Sequence, residues 1–135
     1  MISEAQINSF TRWEKAILSY IDFSTNSTIN TINVYSAPQG YYIKTVFGRN
    51  FQSFNGVGIV SYGIAIGKTG SPTFFQNLTS VISGITGSVN ITTTNSFVNF
   101  ATSTNITATA ICSGGTLNGA TQGEYIIYIE IAKLP

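Results

Sequence analysis

The chain predicts a mainly β fold, an antiparallel β-sandwich or jelly roll with one amphipathic α-helix at its N-terminus. Three observations lead there. Short segments rich in β-branched and aromatic residues recur from Ile29 onward, broken by Gly, Pro, Asn and Ser. The one long stretch in which apolar residues recur at helical intervals stands at the start. The last stretch, Glu124 to Lys133, alternates cleanly, with Tyr125, Ile127, Ile129 and Ile131 on one face and Glu124, Ile126, Tyr128, Glu130 and Ala132 on the other. Its first face is wholly apolar and its second mixed. This segment is therefore expected at the centre of a sheet, with the mixed face partly packed or at a subunit contact. Burial of each Ile contributes about 1.5–3 kcal/mol.

Taken in order, the elements divide the chain into an N-terminal helix within 1–23, a polar linker at 24–28 and a β domain over 29–135. Ser3 and Gln6 have the spacing of a capping box, and Ile7, Phe10, Trp13, Ile17, Tyr20 and Ile21 follow at helical intervals, so a helix is expected over 3–22. Arg12, Lys15 and Ser19 fall on its polar side, and it either packs on its own sheet or docks into a partner. Ile29 to Tyr35 alternates as a strand, and Ala37-Pro38-Gln39-Gly40 is turn chemistry with proline at the second position. Tyr41 to Phe47 returns as a second strand, and Gly56 to Ile66 is the most apolar middle strand. Thr73 to Ile82, Ser88 to Thr93, Phe97 to Ala101 and Thr104 to Cys112 follow. A Gly-rich reach from Ser113 to Gly123 holds the tight-turn pair Asn118-Gly119.

Composition limits what such a domain can do. Only 11 of 135 residues are charged, whereas 50 are Ser, Thr, Asn or Gln, so hydroxyls and amides must form the surface. A net charge of +1 supplies little repulsion between copies, which permits close self-association. Between Asn50 and Gly123 the one charge is Lys68; no basic patch exists for nucleic acid. The single Cys112 cannot form an internal disulfide and is expected to be a small buried apolar residue. The first residues lack the basic and apolar regions of a secretory signal, and no apolar run is long enough to span a membrane.

No catalytic, cofactor or metal residues emerge. Without His, neither a Ser-His-Asp nor a Cys-His nucleophile system can be built, and the commonest metal ligand is missing. Gly63 to Thr69 resembles a phosphate-cradling loop but has three residues between its glycines where four are required, and Gly70-Ser71-Pro72 opens a turn where a helix is needed. Glu124 and Glu130 share a strand face but stand six residues apart, about 20 Å, too far for a carboxylate pair. Two binding expectations remain. Phe10, Trp13, Ile17, Tyr20, Ile126 and Tyr128 are candidates for subunit contacts. Tyr41, Tyr42, Phe51, Phe54, Phe74 and Phe75, interleaved with Asn and Gln, can supply a platform for sugar rings.

An N-terminal amphipathic segment over Ser3 to Ile21, a charge-poor Ser/Thr/Asn β domain and a final apolar strand from Glu124 to Pro135 together resemble small virion proteins of phages and archaeal viruses, such as fibre heads, decoration proteins and capsid jelly rolls. The resemblance implies a non-enzymatic structural component found in the virion and outside the cell after lysis. It also implies a symmetric homo-oligomer, such as a trimer, that contacts other virion proteins. A carbohydrate-binding module is the alternative. Because the chain has no His and five carboxylates, its stability is expected to vary little between about pH 5 and 8, which thermal melts across that range check.

Overall fold

A computed structural model describes residues 11–82, 89, 90, 95, 98, 99 and 102–133 of the chain. Nine strands lie among them: β1 (Thr11–Ser19), β2 (Ile29–Ala37), β3 (Tyr41–Gly56), β4 (Ser61–Lys68), β5 (Ser71–Ser80), β6 (Val89–Asn90), β7 (Val98–Asn99), β8 (Thr104–Ser113) and β9 (Ala120–Lys133). They form two antiparallel sheets. Sheet A runs β1-β9-β3, with β6 and β7 both on the far edge of β3, and sheet B runs β2-β8-β4-β5. Successive strands mostly alternate between sheets, so neighbours in space are distant in sequence. The β1–β2 and β3–β4 segments both lie against β9 and β8, which is the double Greek-key order of a jelly roll.

The expected N-terminal helix is not found among the described residues. Thr11–Ser19 is extended and pairs along its length with β9, from Thr11 opposite Ala132 to Ser19 opposite Glu124, and no α-helix occurs among the described residues. The reason lies in the spacing. Trp13 and Ile17 are four residues apart, which puts two side chains on one face of a helix and equally on one face of a strand. The open edge of β9 then decides, since extended pairing satisfies the backbone groups of both segments at once. Tyr20–Phe23 turn the chain out of β1, with Asp22 accepting the Ser19 N–H at 2.7 Å. The expected capping box at Ser3 and Gln6, together with Ile7 and Phe10, lies outside the described residues.

The last strand is central, as its alternation requires. β9 lies between β1 and β3, and Tyr125, Ile127, Ile129 and Ile131 all point into the core. It starts at Ala120, four residues before the sequence pattern suggests, after a short 3-10 turn at Leu117–Gly119. β3 is longer than expected and runs on to Gly56, whereas the apolar stretch assigned to one strand from Gly56 to Ile66 is divided. Val57 to Val60 cross from sheet A to sheet B, with Gly58 at φ +82°, a left-handed conformation that a side chain disfavours. The turn after β2 closes one residue later than the proline placement suggests, through a Tyr41 N–H bond to the Pro38 carbonyl.

Leu18, Ile43, Val46 and Phe54 of sheet A meet Ile64, Ile66, Phe75 and Ile106 of sheet B in one core. A polar clasp crosses it. Gln76 of β5 donates to the Tyr125 hydroxyl at 3.0 Å and to the Ile64 carbonyl at 3.4 Å, and the Tyr125 hydroxyl donates to Gln76 Oε1 at 3.3 Å. The phenol fits because position 48 is glycine. A Cβ there would overlap the Tyr125 hydroxyl at 1.9 Å.

Burial raises the Tyr62 and Tyr125 phenols above their ordinary value of 10, since a phenolate is not solvated there; the Cys112 thiol adds to the effect at Tyr62 and the Gln76 hydrogen bond opposes it at Tyr125. The unfolded chain releases these protons near pH 10 and the folded chain holds them. Their contribution to stability is therefore complete below about pH 10 and is lost as the pH rises further. The Tyr62 hydroxyl has no hydrogen-bond partner among the described residues. Tyr62→Phe is thus expected to leave stability at neutral pH unchanged or raise it by about 1 kcal/mol, and to reduce the alkaline loss, as read from thermal melts between about pH 8 and 11.

Candidate functional site: the outer face of sheet A

Antiparallel sheets in a sandwich commonly turn one face to water, and that face is then polar. The outer face of sheet A is not. Alternation along β1 sends Trp13, Lys15 and Ile17 outward, while Ala16 and Leu18 turn toward the core. The register sets Lys15 opposite Tyr128 and Tyr128 opposite Phe47, and in the next outward row Ile17 opposite Ile126 and Ile126 opposite Arg49. Three rings close over the centre of the sheet. Trp13 meets Phe47 edge-on with centroids 5.8 Å apart, and Phe47 stacks on Tyr128 at 5.0 Å. Such pairs contribute about 0.5–1.5 kcal/mol beyond their buried area.

Charge also enters this face: Lys15 lies in the row of Tyr128 and Phe47, and Glu130 stands opposite Trp13. Lys44 faces Glu130 at 3.9 Å, and the Arg49 guanidinium lies 5.6 Å from the centre of the Phe51 ring. Trp13, the sole tryptophan, is 52% exposed, and Ile17 and Phe51 are exposed as well. Exposed aromatic and aliphatic side chains with a nearby Arg have the composition of a protein contact surface.

Four of the six contact candidates meet on this face. Trp13 and Ile17 come from β1, Ile126 and Tyr128 from β9. Tyr20 does not join them: it sits in the turn after β1, half-buried against the core, with its N–H bonded to the Gly123 carbonyl at 3.0 Å. Phe10 lies outside the described residues. Phe47 belongs to the face and sequence reasoning passed over it. Its signal was available in β3, where it alternates outward with Thr45 and Arg49, but only the pairing with β9 sets it against Tyr128.

The six candidate sugar-platform rings occupy separate places. Phe54 and Phe75 are core residues, Phe54 stacked on Tyr62 at 4.7 Å. Tyr41 and Tyr42 open β3, where the Tyr41 ring lies 5.3 Å from the Arg12 guanidinium and 5.9 Å from the Lys133 ammonium. Phe51 stands some ten residues along the same strand, and Phe74 lies in sheet B, 5.1 Å from the Lys68 ammonium. Phe74 and Phe75 touch edge-on with centroids 5.0 Å apart, Phe75 in the core and Phe74 partly buried against it. Arg12 donates to the Tyr35 hydroxyl at 3.5 Å, which raises its pKa further, and pairs with Glu14 at 2.9 Å.

Among the described residues no three His, Cys, Asp or Glu side chains gather to hold a metal, and no helix is long and apolar enough to cross a membrane. Cys112 is buried, its thiol pKa raised by that burial, and it donates to the Gly115 carbonyl at 3.4 Å.

No protein-family model and no curated protein sequence matches the chain. Two solved structures share its fold. One is a chain of the capsid asymmetric unit of cyanophage Pam1, with a TM-score of 0.64 and 12% identity over 92% of this chain and 85% of that one. The other is a chain of the acid-stable capsid of Helicobacter pylori bacteriophage KHP30, with a TM-score of 0.56 and 8% identity over 90% of this chain and 86% of that one. The chain therefore has a fold found in phage capsids, spread over nearly its full length.

Because half of the Trp13 ring is already in water, Trp13→Ala is expected to lower unfolding stability by less than about 1.5 kcal/mol, well below the cost of emptying a core site. Urea denaturation of the variant against the wild type checks this. The same substitution at a buried tryptophan would cost about 3–5 kcal/mol.

Proposed function

We propose that the chain is a non-enzymatic structural protein of a phage capsid, held in the particle by self-association and by contacts with other virion proteins. The observation that carries the reading is the fold likeness to chains of two phage capsids along nearly the full chain. A capsid role is preferred to a fibre head because both of these structures are capsids. The chemistry of the surface supports the same reading. A skin of hydroxyls and amides with net charge +1 allows copies to approach, and the aromatic face of sheet A supplies an apolar surface for them to bury.

The sheet edges favour contact by faces over addition of strands. On β1, Arg12 and Glu14 project toward β2 and form an ion pair, β2 carries a register shift between Asn33 and Tyr35, and β5 begins Ser71-Pro72. Charges, bulges and proline at edges are the devices that block strand addition. Self-association through Trp13, Ile17, Phe47 and Tyr128 leaves those edges untouched. In this role the protein occupies the virion and is released with it at lysis. The six platform rings lie in separate places, so no observation favours a glycan contact over this reading.

Size-exclusion chromatography with light scattering is expected to give a homo-oligomer whose mass falls in the double variant Trp13→Ser, Phe47→Ser. On dilution of the wild type, Trp13 fluorescence is expected to shift to longer wavelength as its ring becomes wet. A single chain at high concentration, with no label on virions by immunogold electron microscopy, would refute the assignment.

A further inference from the structure

A second apolar surface lies away from the sheet A face, at the corner where sheet B meets the loop end of the sandwich. The register sets Ile29 of β2, Ile111 of β8, Gly63 of β4 and Ser80 of β5 side by side on one row. Gly63 makes the middle of that row low, and Leu78 leans over it: a Cβ at position 63 would stand 2.9 Å from the Leu78 side chain. The result is an open groove of about 280 Å³ lined by Ser61, Tyr62, Gly63, Leu78, Ser80 and Ile111. Leu78 and Ile111 make apolar walls, two serines mark the rim, and no charge enters the lining.

The β3–β4 crossing stands beside this groove, Val60 directly preceding Ser61 of the rim. Val57 is 93% exposed and Val60 74% exposed, although both are aliphatic. The backbone at the tip is nonetheless fixed, because the Val60 N–H bonds to the Ser113 carbonyl at 2.8 Å and the Ile59 N–H to the Gly56 carbonyl at 3.2 Å. Two apolar side chains are thus held out into water at a defined position, next to an apolar groove with nothing in it to attract an ion.

We infer that tip and groove fit each other between copies: the Val57–Val60 tip of one chain seats in the Ile111–Leu78 groove of a second. Because the two features adjoin on one rim, the exchange is reciprocal about a two-fold axis, each copy giving its tip and receiving the other's. The charge pattern selects this occupant. A phosphate or nucleic acid would need a cation, and the one charge between Asn50 and Gly123 is Lys68, at the opposite end of β4 from Ser61. A sugar would need an accessible ring face, and Tyr62, the sole aromatic in the lining, is turned into the core. An uncharged aliphatic knob is what the lining accepts, and this chain carries one. The inference rests on the self-association reading but uses a surface separate from sheet A.

Disulfide trapping tests it. Chains bearing Val57→Cys and chains bearing Ser80→Cys, differently tagged, are mixed and oxidised with glutathione disulfide; native Cys112 is buried and does not compete. The mixed disulfide is expected to exceed both homodisulfides. Adding Val60→Asp to the Val57→Cys chain is expected to cut its yield at least ten-fold while leaving the melting temperature unchanged, since position 60 faces water. No mixed disulfide between folded chains, or Val57→Cys homodimers in excess, would overturn the contact. Phe47→Ser separates the two surfaces: it is expected to leave the mixed disulfide in place while the mass read by light scattering falls with the loss of the sheet A contact.

Discussion

The pairing of β9 with β1 on one side and β3 on the other is the constraint on which the remaining structure depends. β9 is apolar on its core side through Tyr125, Ile127, Ile129 and Ile131, and its backbone is satisfied from both edges. Removing any one of those side chains would open a cavity in the core, at about 2–5 kcal/mol for Ile to Ala. The same strand presents Ile126 and Tyr128 on its other face. Core and outer aromatic face are therefore two sides of one element, and the register that fills the core also fixes which side chains meet outside it.

The jelly-roll order explains how sparse chemistry in the sequence becomes a shaped surface. Because successive strands cross between sheets, the connections from β1 to β2, β3 to β4 and β8 to β9 collect at one end. There the N–H groups of Leu117 and Asn118 bond to the carbonyls of Ser27 and Thr25, and the Cys112 N–H bonds to Thr28. The stretch between β1 and β2 is polar in sequence yet tied down by these bonds. Across the core, the Gln76–Tyr125 clasp joins the two sheets, and Gly48 leaves room for its phenol. A buried polar pair of this kind favours one alignment of the sheets over others, since any slip would leave both groups unpartnered in a dry interior.

A surface of hydroxyls and amides with few ions has a physical consequence for assembly. Long-range repulsion is weak, so short-range contacts decide what touches what. On this chain exposed apolar side chains lie on a sheet face and at a loop tip, while the strand edges carry charges, a bulge and a proline. Association can then be close without opening the route to indefinite strand addition.

Much was legible in the sequence because it depends on a two-residue period. The β class, the central place of the last strand, the inward and outward sets of β9 and the turn at Asn118-Gly119 all follow from residue types and their alternation. The N-terminal segment was not legible. An apolar repeat of four satisfies a helix and a strand alike, and what separates them is a hydrogen-bonding partner more than a hundred residues away. The extent of β3 and the break at Gly58 were hidden for a related reason, since an apolar run does not show where the chain changes sheets. Sequence alone thus determined which residues turn toward oil and which chemistry the chain lacks. The tertiary structure decided that Trp13, Phe47 and Tyr128 form one surface, because side chains from three strands share a face only once the backbone pairing has set their register.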